Sequence, residues 1–318
     1  MTGVKVDNDL LVPYRTGSYL VDDVVPPGKE VTPGKKKDQT NFRDAMKLPD
    51  HPYRASGSHQ LNAQTLADIL KSEVVDKHNP STIYLVDLRE ETHGFLDDKA
   101  VSWYADNDFA NVCQSVDWIM MDEADRFKTL LALKNLKPPK TPQTTTKVFT
   151  LDMKGPDNRG QQRVTPTSYV ERSVGTAETE ETVANGLQAK IGCRVIYLRI
   201  PVTDHCAPTE AALGKLRDLR KEATPSKGVA PSWPSPWVHF HCHGGDGRTT
   251  TFLALYDMLC WKASLRPGET PPTTEDFAGR QRKLFDYSLI PDPEQKWKYQ
   301  LANVRWRVIT KFHTDLFG

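Results

Sequence analysis

A cysteine and an arginine six positions apart, Cys242 and Arg248, stand in the run His241-Cys242-His243-Gly244-Gly245-Asp246-Gly247-Arg248-Thr249. The run follows Trp237-Val238-His239-Phe240, which reads as a strand, and precedes Thr250–Leu259, which reads as a helix. A glycine-rich turn between strand and helix makes an anion cradle, because backbone N–H groups converge there and the helix dipole favours negative charge. The same field favours thiolate at Cys242. Gly244, Gly245 and Gly247 let the backbone approach a ligand closely. Arg248 offers a planar fork for two phosphate oxygens, a geometry Lys does not copy. Thr249 can donate a hydrogen bond to the sulfur, and His241 can hold the turn from behind. The chemistry implied is phosphate ester cleavage through a cysteinyl-phosphate that water then breaks.

Two other readings of these residues fare worse. A nucleotide-binding loop requires G-x-x-x-x-G-K-[ST], which this run does not contain. A metal site could draw on His239, His241, His243 and Cys242, since alternation along a strand puts the three histidines on one face. The strand is expected to end near Cys242, which takes His243 off that face. Neither a metal nor a cofactor is expected.

Cleaving an alkyl phosphate releases an alkoxide, so a proton donor is needed. Cys193–Pro201 reads as a strand and runs into Val202-Thr203-Asp204-His205-Cys206-Ala207-Pro208-Thr209. Pro208 opens a helix through Leu213, Leu216 and Leu219. Asp204 therefore lies at the carboxyl end of a strand, the rim at which open α/β sheets bind ligands. Asp204 is expected to act as general acid and His205 to contact the phosphate or leaving group. The alternative is that Asp204 only caps the following helix.

Taken together, His241–Thr249 and Val202–His205 resemble the H-C-x5-R-T and T-D-H loops of the protein-tyrosine-phosphatase-like inositol phosphatases, the bacterial cysteine phytases. Val86–Phe95 is similar to that family's D-L-R-x-E-[ST]-H-G segment, and Val101–Tyr104 with Asn107–Asn111 to the block after it. Asn41-Phe42-Arg43 resembles an N-F-R segment whose Arg touches substrate, and Ala55–Ser58 the next landmark. Lys296-Trp297-Lys298-Tyr299 is similar to a basic segment that contacts outlying phosphates. The resemblance implies stepwise, metal-independent removal of phosphates from myo-inositol polyphosphates, with a small-molecule polyanion as partner. It implies Cys242 as nucleophile, Arg248 as phosphate clamp and Asp204 as general acid, assisted by Thr249 and His241. Around the substrate it implies His205, His243, Gly244, Gly245, Asp246, Gly247, Arg43, Lys296 and Lys298. The family loop usually carries Glu-Ala-Gly where this chain has His243-Gly244-Gly245, and Asp246 adds a carboxyl to an anion-binding loop. Those departures are where substrate preference is expected to differ. A protein-tyrosine or phosphoinositide phosphatase would share Cys242, Arg248 and Asp204 and is the alternative.

The fold expected is α/β: a cysteine-phosphatase core, its central and mostly parallel sheet flanked by helices, with a small β-rich insert domain. Residues 1–40, rich in Pro, Gly and Lys, read as an extended N-terminal arm. Residues 41–136 and 193–318 read as the core and 137–192 as the insert, announced by the linker signal Lys137–Pro142. Within the insert, Lys147–Leu151 and Gln162–Val164 read as short strands and Glu178–Lys190 as a helix. Periodicity predicts a buried strand at Ile83–Leu88 and helices at Asn62–Val75, Asp117–Leu133 and about Pro293–Leu316. The last carries Trp297, Leu301, Val304, Val308, Phe312 and Leu316 as its core stripe, with Lys296, Lys298, Arg305 and Lys311 off it. Pro225–Pro236 reads as a loop.

A net charge of +1 supplies no general field for nucleic acid, so attraction for a polyanion must be local. No run of 18 apolar residues occurs, so no membrane span is expected. Met1–Lys5 is followed by no apolar h-region, so no secretory signal is visible, and a cytoplasmic enzyme, one exported or injected without a classical signal, and one whose signal has been removed all stay open. The five cysteines lack paired spacing and read as reduced, Cys242 reactive and the others mostly buried. A monomer is expected.

Overall fold

A computed structural model describes residues 18–23, 40–105, 109–133, 145–154, 163–224, 235–295 and 297–318. The strands in chain order are β1 (Tyr19–Asp22), β2 (Arg43–Asp44), β3 (Ala55–His59), β4 (Thr82–Arg89), β5 (His93–Leu96), β6 (Lys99–Tyr104), β7 (Thr145–Lys154), β8 (Arg163–Ser173), β9 (Ala177–Thr179), β10 (Arg194–Val202) and β11 (Trp237–Cys242). The helices are α1 (Ala63–Ile69), α2 (Val116–Leu133), α3 (Glu180–Ile191), α4 (Glu210–Glu222), α5 (Gly247–Ser264), α6 (Thr274–Leu284) and α7 (Trp297–Phe317). Most of the expected arm, the linker Lys137–Pro142, Asn107, Asp108, most of the loop Pro225–Pro236, and Lys296 lie outside the described residues.

The chain divides into two compact units. One comprises Met1–Glu30, Leu61–Ala67 and Glu90–Gly186, and the other Val31–Gln60, Asp68–Arg89 and Leu187–Gly318. The division groups residues 90–136 with the stretch that follows them. The α/β expectation holds.

The larger unit is built on a five-stranded sheet in the order β10-β4-β11-β3-β2, parallel except for β2. Strands β4 and β11 are buried almost from end to end, as parallel strands covered on both faces must be, although β4 carries Asp87 and Arg89 and β11 carries His239 and His241. Phe240 packs with Phe252, Leu253, Leu255, Met258, Phe277 and Phe312 into the main core. The Ala55–Ser58 landmark gains a physical reason here. A Cβ on Gly57 would stand 2.7 Å from Thr249 Cγ2, so glycine lets α5 start tight against β3. Helix α4 is capped by Thr209, whose Oγ1 accepts from Ala212 N at 3.2 Å. Asp204 is therefore not the cap and belongs to the turn before the helix.

Helix α7 corrects the expected stripe. Ala302, Arg305, Ile309 and Phe312 are buried, whereas Val304 is 48% exposed. The inward face is turned by about one residue, because Arg305 has a partner inside (below) and the i, i+4, i+7 pattern from residue 305 serves the core equally well.

The smaller unit holds an antiparallel sheet in the order β1-β6-β5-β9 and a two-stranded ribbon, β7–β8, whose strands of 10 and 11 residues outrun the short pieces expected. Its core gathers Leu20, Val101, Trp103, Phe127, Leu130 and Val174. His93 lies wholly buried in it, with Nε2 2.9 Å from Glu180 Oε2 and its backbone N–H donating to Glu123 Oε2 at 3.0 Å. Among the described residues, no helix is long and apolar enough to cross a membrane.

Candidate active site

Cys242 is the last residue of β11, 2% exposed, and α5 begins five residues later at Gly247. Three successive carbonyls of the intervening loop are held by donors from a distant stretch of chain. His243 O accepts from Gln60 N at 3.0 Å, Gly244 O from Asn41 Nδ2 at 2.9 Å, and Gly245 O from Arg43 Nη2 at 2.6 Å. A trans peptide unit points its N–H opposite to its C=O. Pinning these carbonyls therefore turns the N–H groups of Gly244, Gly245 and Asp246 the other way, which builds an anion nest. Gly245 has φ +71°, and a Cβ on it would stand 2.6 Å from His59 N. A side chain there would meet both strain and a clash.

Thr249 Oγ1 donates to Cys242 Sγ at 3.0 Å. Arg248, with its guanidinium buried, donates Nη1 to Val202 O at 3.2 Å and holds Asp204 Oδ1 3.2 Å from Nη2. Asp204 Oδ2 lies 3.1 Å from His205 Nε2, and His205 sits in the left-handed region at φ +61°, a conformation found at functional sites. Burial pushes His205 below its ordinary value; Asp204 opposes this, while Lys298, Arg248 and Arg305 add to it. Those three cations are thus within electrostatic reach of one imidazole.

Arg43 was expected to touch substrate. The structure buries it under the loop, with Nη1 on Asn41 O at 3.2 Å, Nη2 on Thr250 Oγ1 at 3.0 Å as well as on Gly245 O, and Phe285 stacked 4.5 Å from the guanidinium. Burial pushes Arg43 down to about 10, partly offset by Cys242 and Asp246, so it stays cationic at neutral pH. The carboxyl of Asp246 thereby has a positive partner beneath the loop. Asp246 makes no side-chain cap bond at the start of α5.

The remaining candidates fall in different places. Gly247 borders Arg305 and Tyr287, whose side-chain atoms lie 3.1 and 3.2 Å from where its Cβ would be. Arg305 Nη2 donates to Tyr287 Oη at 3.0 Å, and its Nε has no protein partner among the described residues. Sequence reading left Arg305 on the solvent side of its helix and did not find Tyr287. Lys298 is exposed. His243 and Asp246 are half-buried, and His241 is buried on β11 beside Ser58 and Asp87 of its neighbours. The metal reading loses His239, both of whose ring nitrogens face serine hydroxyls, Ser56 at 2.8 Å and Ser58 at 3.1 Å. Burial holds that imidazole well below its usual value. None of the five cysteines forms a disulfide, but besides Cys242 only Cys193 is buried; Cys113 is exposed, and Cys206 and Cys260 are intermediate, so the rest are not mostly core.

Adjacent residues at the start of α5 thus join the sulfur, through Thr249, and the Asp204 carboxyl, through Arg248. Comparison with known proteins gives the arrangement relatives. The protein-tyrosine-phosphatase-like phytase family, described by inositol hexakisphosphate, matches residues 86–260, more than half of the chain. The effector protein hopD2 of Pseudomonas syringae pv. tomato is 27% identical over 279 residues, 85% of this chain and 50% of its own length. A solved phytase of this type from Bdellovibrio bacteriovorus is 26% identical, with a TM-score of 0.59 over 94% of this chain and 88% of that one. The Mitsuokella multacida myo-inositol phosphatase, solved with myo-inositol-(1,3,4,5)-tetrakisphosphate, is 24% identical, with a TM-score of 0.65 over 96% of this chain and 46% of that one. The chain spans half or less of the length of the curated proteins it matches.

Proposed function

This chain belongs to the protein-tyrosine-phosphatase-like phytase family, and from that premise we propose that it hydrolyses inositol polyphosphates one phosphate at a time through a cysteinyl-phosphate. A phosphate group enters the nest and takes the Arg248 fork away from Val202 O and Asp204. The dianion now beside Asp204 favours the protonated carboxyl. Cys242 thiolate attacks phosphorus in line, the ester P–O bond breaks, and Asp204 gives its proton to the departing alkoxide. Water then attacks the thiophosphate, Asp204 takes up a water proton, and sulfur leaves as thiolate held by the Thr249 hydroxyl. Arg305, Lys298 and His205 supply cationic and polar contacts for the other phosphates of a crowded ring.

The observation that carries this reading is the meeting of Thr249 Oγ1 with Cys242 Sγ at 3.0 Å and of Arg248 with Asp204 at 3.2 Å at the ends of two neighbouring connections. The test is phosphate release from inositol hexakisphosphate beside a phosphotyrosine peptide, with chelator present, for the parent and Cys242→Ser. Faster turnover of the inositol phosphate, lost in the variant, is expected. Preference for the peptide would reassign the substrate, and retained turnover in Cys242→Ser would remove the nucleophile.

A further inference from the structure

Strand β10 is out of step with β4 at one place. Arg199 pairs with Asp87, but the next registered pair is Val202 with Arg89, so Ile200 and Pro201 together face Leu88. Pro201 has no N–H to give the ladder. The side chain of Arg199 fills the gap, donating Nε to Arg89 O at 3.0 Å, and the same Nε lies 3.3 Å from Asp87 Oδ2. Asp87 also accepts Tyr197 Oη–H on Oδ2 at 2.7 Å and Arg89 N–H on Oδ1 at 2.8 Å. One carboxylate therefore grips both strands on either side of the bulge. Asp87 is fully buried and Arg199 is 4% exposed. Burying both charges is costly unless the geometry is well satisfied.

We propose that the Asp87–Arg199 pair is a positioning device that maintains this bulge and thereby sets how far the Asp204 loop reaches over the phosphate cradle. Without the extra residue, Val202 would move along the strand by about 3.3 Å, one residue's rise, and every side chain beyond would change face. With it, Val202 O meets Arg248 Nη1 and Asp204 Oδ1 meets Nη2, both at 3.2 Å. Both contacts of the acid loop with Arg248 lie downstream of the one irregularity between these strands. An ion pair serving stability alone could stand anywhere along the ladder; this one stands at the bulge and satisfies its carbonyl. The proposal rests on the reading of Asp204 as proton donor.

The experiment compares Arg199→Met, Asp87→Asn and Asp204→Asn on inositol hexakisphosphate and on 4-nitrophenyl phosphate, whose leaving group needs no proton, with vanadate inhibition as a check on the cradle. Arg199→Met and Asp87→Asn are expected to lose about 10²-fold in kcat/KM, which reads the departure of the leaving group and not the shared hydrolysis step, on the alkyl substrate and less than about threefold on the aryl one, the pattern of a missing general acid, with vanadate binding kept. Tyr197→Phe, at a half-buried position where folding is not at stake, is expected to lose about fivefold on the alkyl substrate alone. Equal losses on both substrates, or no loss, overturn the proposal. If Asp204→Asn itself shows no difference between substrates, the general-acid reading falls and takes the proposal with it. If Asp204→Asn is selective and the Arg199 and Tyr197 variants are not, the proposal alone falls.

Discussion

Helix α5 carries one half of an aspartate–arginine pair near its start and one half of another nine residues later. At the start, Arg248 Nη2 lies 3.2 Å from Asp204 Oδ1, and the Asp204 side chain is 27% exposed. Further along, Asp257 is fully buried and receives Arg280 Nε at 2.8 Å and Nη2 at 3.2 Å, with Gln281 Nε2 adding a third bond at 3.2 Å. The other N–H groups of Arg280 go to the carbonyls of Asp50 and His51. The residue types are the same and the consequences differ. A fork engaged on every side, out of reach of water, ties α5 to α6 and can only be broken. A fork whose carboxylate partner is partly open to water, beside an N–H nest, can be taken by an incoming phosphate.

The contrast is sharpest in Arg248→Lys, which keeps the charge and loses the planar fork. Its kcat is expected to fall by about 10³-fold while the melting temperature shifts little. A loss under tenfold would make Arg248 a mere counter-charge. The second pair should do the reverse. Arg280→Met leaves a buried carboxyl without its partner and is expected to cost about 3–5 kcal/mol in denaturant unfolding, while kcat of the folded fraction stays within about twofold. A variant as stable as the parent would erase the difference between the pairs.

Asp257 gives a pH-dependent form of the same test. Burial outweighs the Arg280 and Gln281 bonds and pushes its carboxyl up to about 6. A group raised on folding contributes stability that is fully present below its unfolded value, near 3.8, and is lost as pH rises through about 6. Relative to Asp257→Asn, the parent should therefore lose up to about 3 kcal/mol between those limits, at 1.36 kcal/mol per unit. Denaturant titrations of both proteins at several pH values read this directly, and parallel curves would contradict it. The smallest effect belongs to Asp246. Removing its charge as Asp246→Asn should tighten inhibition by inorganic phosphate about twofold to fivefold, because a carboxylate leaves the anion nest. Weaker inhibition would mean that the carboxylate's main task is to hold Arg43 in place.

The parts of this site that could be read from sequence are those whose signals are local. The Cys242 loop lies between an apolar strand and a helix, and Asp204 ends a strand rich in β-branched residues, so each motif announces its own setting. Arg305 was hidden because α7 offers two apolar faces about 100° apart, one through Leu301, Val304 and Val308 and one through Ala302, Ile309 and Phe312. An arginine is assigned to water unless a partner is known, and the partner, Tyr287, comes from a separate stretch. Helix α6 escaped notice for a related reason. Its capping box, Thr273 with Asp276, was present, but its inward face includes Arg280 and Gln281 and shows no apolar stripe. Arg43 was assigned a plausible charge partner in the wrong direction, since nothing in Asn41-Phe42-Arg43 says which side of the loop it approaches. The Asp87–Arg199 bulge was only half legible: Pro201 within a strand signals an edge or an irregularity, but the extra residue in a parallel ladder is defined by the partner strand.

The carbonyl pins of the cradle have a consequence for the order in which the molecule becomes active. Gly244 and Gly245 are held by partners 203 and 202 residues away in sequence. Contacts of such long range form only after the intervening chain has been ordered, and they dominate the slow part of folding. Asn41 and Arg43 leave the ribosome 203 and 202 residues ahead of the loop positions they hold. Until then the loop around Cys242 is a peptide with no preferred polarity. In a refolding experiment, phosphatase activity is expected to appear with completion of the larger unit rather than with closure of a single turn.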